Sequence, residues 1–266
     1  MIKLVAVDID GTFIHDDYTF DVERFEKIFK HMKAINCNFV VASGNQFYQL
    51  EKIFKKYGNE ISFVSDNGAY VKAHGELIFA ADVPKETVAF VTDICRNFSE
   101  VTTFLCGVKS AYAERGKVTQ ECFERMKAHY MPRMIWVDDF KAVEDQFLKF
   151  ALLVPENENS HYYKIFKEKL GDKLKPITSG FGAMDLIVSK YHKASGIKRL
   201  AEHFNISADE CVSFGDSYND IEMLKYCGQS YAMANATDDV KAAAKNICPS
   251  NNDDGVLVTL EKILYQ

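Results

Sequence analysis

Two hydrophobic rhythms alternate over the first 65 positions of the chain. A short apolar run covers 3–7 and stops abruptly at Asp8. From 21 to 35, Val22, Phe25, Ile28, Phe29, Met32 and Ile35 recur at three- and four-residue steps, which is the spacing of one helix face. A second apolar run spans 37–42. Phe47, Leu50, Ile53, Phe54 and Tyr57 mark a second helix, and 61–64 gives a third strand. Buried strands alternating with amphipathic helices predict βαβ units and a parallel sheet covered on both faces.

The rhythm changes after Asn67-Gly68. Apolar stretches at 70–72 and 77–79 flank His74-Gly75 and predict a hairpin. A mixed stretch follows, with helical patterns at 85–97, 118–129 and 161–170. Strand-like runs lie at 101–106, 110–114, 147–154, 174–179 and 184–188. The βαβ pattern then resumes with a helix at 194–204, a strand at 211–214, a helix at 220–227 and a short strand near Tyr231. Helices at 237–244 and 256–265 complete the chain. The prediction is an α/β protein with a Rossmann-like parallel-sheet core in two pieces, 1–81 and 188–266. Residues 82–187 form a separate α+β domain between them.

Composition narrows the function classes. The chain has 266 residues, enough for a sizeable core, and no segment approaches the roughly 18 consecutive apolar residues of a membrane helix. The apolar opening run is broken by Asp8 and Asp10, unlike a secretory leader, so a cytoplasmic protein is expected. Seven scattered cysteines without a C-x-x-C pair argue against structural zinc and a disulfide framework. A net charge of −6 with no basic block argues against nucleic acid. An anionic substrate therefore needs a local cation.

Candidate chemistry sits where strands end. Asp8-Ile9-Asp10-Gly11-Thr12 follows the first strand, and ligands of open parallel sheets bind beyond the carboxyl ends of strands. Extended geometry would bring the Asp8 and Asp10 carboxylates to one side, with Gly11 letting the backbone pass close to a ligand. Gly215-Asp216-Ser217-Tyr218-Asn219-Asp220 follows the strand at 211–214 and leads into a helix. Taken alone it is equally an Asx turn with a helix cap. Three converging carboxylates, Asp8, Asp10 and Asp216, would repel one another unless a cation such as Mg²⁺ compensated. Ala42-Ser43-Gly44-Asn45 follows the second strand, where a hydroxyl and free backbone N–H groups suit a phosphate, although a simple helix cap has the same sequence. Lys193 opens the helix after the insert and is a candidate to neutralise a phosphoryl oxygen, although a lone lysine is ordinarily a solvated surface charge.

These four elements, in this order and each at a strand end, resemble the haloacid dehalogenase superfamily of aspartate-nucleophile phosphatases. The long insert looks like a C2-type cap. Asp66-Asn67-Gly68-Ala69, the stretch 185–193 and Asn252-Asp253-Asp254-Gly255-Val256 are similar to its Cof-type branch. Within that branch Ala-Ser-Gly-Asn-Gln, Thr178-Ser179-Gly180-Phe181-Gly182 and His192-Lys193-Ala194 most resemble bacterial sugar phosphatases acting on hexose phosphates.

The resemblance implies Asp8 as nucleophile and metal ligand, and Asp10 as general acid/base with its carbonyl on the metal. It implies Ser43, Gly44, Lys193 and Asn219 around the phosphate, Asp216 on Mg²⁺, and Asp220 in support. Many members carry Arg where this chain has Asn45, which favours a polyol-like leaving group here. The expected activity is Mg²⁺-dependent hydrolysis of a small phosphate ester through an aspartyl-phosphate. A phosphomutase on the same scaffold and a non-catalytic sugar-phosphate sensor are the alternatives. A monomer or weak homodimer, with no nucleic-acid or membrane partner, is expected. Ser110, Tyr112 and the loop 179–182 are candidates for the specificity surface.

Overall fold

The computed structural model describes residues 1–180 and 182–265; Phe181 and Gln266, and the side chains of Ser179 and Gly180, lie outside the described residues. The chain forms two compact units. The first consists of Met1–Gly44, Lys56–Ile78 and His192–Gln266, and the second of Asn45–Lys55 and Phe79–Tyr191.

The first unit is built on a sheet whose centre is β1 (Leu4–Val7), followed on one side by β2 (Asn38–Ala42) and then β3 (Ser62–Ser65). β4 (Tyr70–Ala73) and β5 (Glu76–Ala80), the latter as far as Ile78 within this unit, extend that side. β12 (Cys211–Gly215), β13 (Gln229–Met233) and β14 (Asn246–Cys248) extend the other. Every pairing from β14 to β3 is parallel, and β3 with β4 is antiparallel. Leu4, Val5, Ala6 and Val7 are all fully buried, as a strand covered on both faces requires. The strand order reverses between β1 and β12, where Val7 lies beside Phe214. Their carboxyl ends form the switch-point crevice in which such sheets place ligands. The predicted helix at 21–35 is α1 (Val22–Ala34), capped by the Asp21 side chain on the Arg24 amide.

In the second unit a six-stranded sheet has the order β10 (Lys175–Gly180), β11 (Ala183–Ile187), β9 (Phe147–Leu153), β6 (Thr102–Gly107), β7 (Ala111–Glu114), β8 (Ile135–Val137). Period-two alternation sorts its two cores. Leu105, Phe150 and Leu152 pack with α3 (Lys85–Cys95) and α5 (Asn159–Leu170), while Phe104, Cys106 and Ala151 pack with α4 (Gln120–His129). Tyr112, a candidate specificity residue, lies in the first of these cores with its hydroxyl donating to Asp145 (2.8 Å).

The segment 45–55 belongs with this unit rather than with the first. It carries α2 (Phe47–Ile53), and the Tyr48 hydroxyl donates to the Val108 carbonyl (2.9 Å) while the Arg133 guanidinium lies 3.5 Å over the Tyr48 ring. β8 and β14 have no counterpart in the hydrophobic pattern. Each is three residues long at a sheet edge, too short for a period to register. No helix among the described residues is long and apolar enough to cross a membrane.

Candidate active site

β1 delivers Asp8 to the switch point, and the Asp8 amide donates to the Phe214 carbonyl (3.1 Å), extending the ladder by one residue. The chain then leaves the sheet. The Ile9 carbonyl accepts from the amides of Thr12, Phe13 and Ile14, and Ile9 itself is fully buried. Asp8 is therefore buried and Asp10 exposed. The strand alternation expected to bring them to one side does not operate, because the strand ends at Val7. Gly11 turns through φ +74°, and a Cβ there would sit 2.6 Å from Asp216 Oδ2. The close approach it permits is to that carboxylate.

The Lys193 ammonium, 1% exposed, organises the centre. It opens α6 (Lys193–Phe204) and donates to Asp8 Oδ1 (2.7 Å) and to Asp220 Oδ1 (2.6 Å). The other Asp220 oxygen accepts from the Asp216 and Ser217 amides at 3.1 and 3.0 Å. Asp220 thus fixes both the ammonium and the turn that carries Asp216. That link between two distant segments is invisible in the sequence, where Asp220 reads as an accessory carboxylate. Thr12, given no role in the sequence reading, donates to Asp216 Oδ1 (2.7 Å) and ties the two motifs together.

Facing oxygen atoms of Asp8, Asp216 and Asp220 lie within 4.8 Å of one another. The Asp10 side chain is not part of this group, so the carboxylate trio differs by one residue from the Asp8, Asp10 and Asp216 set of the sequence. Burial, then the Asp220 charge, push the Asp8 carboxyl well above the usual carboxylate range against the pull of Lys193; Asp216 adds to the rise. The same two causes, burial and Asp220, push Asp216 up to about 6, opposed by the Thr12 hydrogen bond. Burial works against the Lys193 charge, but Asp220 and Asp8 outweigh it and hold the ammonium above its ordinary value. An all-oxygen donor set whose negative charge is only partly compensated fits a hard divalent cation.

Ser43 is buried at the end of β2. Its amide donates to the Val64 carbonyl (2.9 Å). The Ser43 carbonyl accepts from the Asn67 amide (3.1 Å), and a Cβ on Gly44 would lie 3.2 Å from Asn67 Oδ1. Asn219 Nδ2 donates to that same oxygen (3.1 Å), so Asn67 joins the Ser43-Gly44 and Asn219 segments. Its signal in the sequence is Asp66-Asn67-Gly68, whose three residues all adopt positive φ. Asn45 lies in the other compact unit.

Asp8 and the buried Lys193 thus lie beside the Asp216–Asp220 motif at the switch point of an α/β core. Residues 5–260 match the family model of haloacid dehalogenase-like hydrolases. The chain is 41% identical over 263 residues to the Escherichia coli 5-amino-6-(5-phospho-D-ribitylamino)uracil phosphatase YbjI, covering 99% of this chain and 96% of that one. The crystal structure of SMU.1108c from Streptococcus mutans superposes with a TM-score of 0.92 at 32% identity, over 100% of both chains. The subclass IIB sugar phosphatase BT4131 shares the fold, with a TM-score of 0.82 at 21% identity over 98% of each chain. The chain belongs to the haloacid dehalogenase-like hydrolases and is an enzyme of the phosphoric monoester hydrolase class.

Proposed function

We propose that the chain is a magnesium-dependent phosphatase that cleaves phosphate monoesters of polyhydroxylated carbon chains, hexose phosphates in particular, through an aspartyl-phosphate on Asp8. The observation that carries this reading is the Lys193 ammonium held between Asp8 and Asp220. An ammonium has three donors. Two are spent on carboxylates and the third remains to meet a phosphoryl oxygen beside the nucleophile.

Asp8 attacks phosphorus with its carboxylate as the leaving oxygen departs in line. Lys193 offsets charge on the equatorial oxygens, with Ser43, Gly44 and Asn219 around the same group. Asp10, on the turn beyond β1, protonates the departing alkoxide and then, as carboxylate, takes a proton from the water that opens the acyl phosphate. Asp8 and Asp216, with the Asp10 carbonyl, would hold Mg²⁺, which supplies further neutralisation of phosphoryl charge. Asp220 keeps Lys193 and the Asp216 turn in register.

The leaving-group preference is supported by the ribityl phosphate named for the 41% identical relative, a hydroxylated carbon chain on the ester oxygen. The test is phosphate release from hexose phosphates, the ribitylaminouracil phosphate, nucleotides and phosphorylated cofactors, with Mg²⁺ and with EDTA. Metal-dependent turnover highest on the sugar and polyol esters is expected. Preference for nucleotides, or turnover unchanged by EDTA, would sink the reading.

A further inference from the structure

Asp10 stands beyond the end of β1, exposed, on a turn that has left the sheet. A group that passes a proton to a leaving oxygen must nevertheless be held to a fraction of an ångström. Beyond the turn's own backbone bonds, restraint comes from three asparagines far along the chain. Asn235 Nδ2 donates to the carbonyl of Gly11, the residue after Asp10 (2.8 Å). Asn235 Oδ1 accepts from the Asn251 amide (3.3 Å). The Asn251 side chain, buried to 3% exposure, donates to the Ile14 carbonyl and to Asp16 Oδ1, each at 3.0 Å. Asn252 closes the set, its Nδ2 donating to Asp16 Oδ2 (2.9 Å) and its Oδ1 accepting from the Asp16 amide (3.1 Å). The turn is thus gripped one residue past Asp10 and again at Ile14 and Asp16, by a single connected network.

We propose that Asn235 and Asn251 are positioning residues for Asp10, acting on proton transfer to the leaving group rather than on substrate binding. This rests on Asp10 as proton donor in the reading above. Both amide atoms of Asn235 are committed, one to each side of the network, so its loss frees the Gly11 carbonyl and uncouples it from Asn251. Asn235 is exposed, and water can replace its hydrogen bonds with little change in stability. What water cannot replace is the fixed direction of the turn.

The experiment compares Asn235→Ala, Asn235→Asp and Asp10→Asn on a hexose phosphate and on p-nitrophenyl phosphate, whose leaving group needs little protonation. Asn235→Asp keeps the acceptor and the shape but, ionised, has no donor for Gly11, so it reads the same contact if the alanine variant folds poorly. In both Asn235 variants kcat should fall about 10-fold or more on the sugar ester and less than about 3-fold on the aryl ester, with KM nearly constant. Equal losses on the two esters, or a change confined to KM, would overturn the inference while Asp10→Asn retains its selective defect. If Asp10→Asn itself impairs both esters equally, the proton-donor reading falls and takes this inference with it.

Discussion

Gly196→Ala pits two opposed energies against each other at the helix that presents Lys193. Gly196 is the fourth residue of α6 and is buried against β3. A Cβ there would lie 2.4 Å from Val64 Cγ1 and 3.1 Å from Val64 Cγ2. Alanine improves helix propensity by about 1 kcal/mol over glycine. Against this, the methyl needs about 1 Å more room to reach ordinary carbon–carbon contact. Val64 is fully buried and its β-branched side chain is stiff, so rotation exchanges one clashing methyl for another. Overpacking of this kind costs about 1–3 kcal/mol, which leaves a net destabilisation of about 1 kcal/mol. The helix must move away from the strand, and Lys193, one turn earlier on the same face, moves with it. Its 2.7 and 2.6 Å contacts to Asp8 and Asp220 tie the two carboxylates to that displacement. We expect kcat to fall about 10- to 100-fold, as small misplacements of catalytic groups do, with KM changing less. Urea unfolding and steady-state phosphate release on the same preparation check both. A variant as stable as the parent with unchanged kcat would show that the contact is soft and that α6 does not set the lysine.

Asp8→Asn should fold and bind phosphate but lose turnover, since an amide is no anionic nucleophile; near-parental phosphate release from a verified variant would refute the covalent route. Lys193→Ala leaves Asp8 and Asp220 buried without their shared cation and should cost about 3–5 kcal/mol, read from the urea midpoint; a loss under about 1 kcal/mol would show that solvent or ions compensate freely. Glu261 accepts two hydrogen bonds from Arg24 (3.0 and 2.7 Å), joining α1 to α9 (Gly255–Leu264). This bonding to Arg24 holds the carboxyl below its ordinary value in the folded chain. The pair's stabilisation is present above the unfolded value near pH 4.5 and is lost as pH falls through the lower folded value. Glu261→Gln should therefore lower the unfolding free energy at pH 7 by no more than about 1 kcal/mol given the pair's exposure, and the difference should vanish once the pH falls below the folded-state value. A defect that persists in acid would assign the effect to packing.

The hydrophobic rhythm of the chain determines its elements, because a buried strand and an amphipathic helix each impose a period that short windows reveal. That is why β1, β2, β3, β12 and α1 stand within a residue or two of their expected positions. Motif placement is equally local. Asp8 and Asp216 each end an apolar strand, and Lys193 begins a helix, so their candidacy needs no tertiary information. Three things did. The register of β1 against β12 brings Asp8 and Asp216 together, since hydrogen bonds between strands 200 residues apart leave no period in either one. The role of Asp220, and the bridge that Asn67 makes between Asn219 and the Ser43-Gly44 turn, arise from side-chain contacts between loops. The side of the chain to which 45–55 belongs follows from Tyr48 meeting Val108 and Arg133, contacts with no signature in the spacing of apolar residues. The backbone's local preferences write strands, helices and their ends into the sequence, whereas a site is a set of distances between them, and those exist only once the sheet has closed.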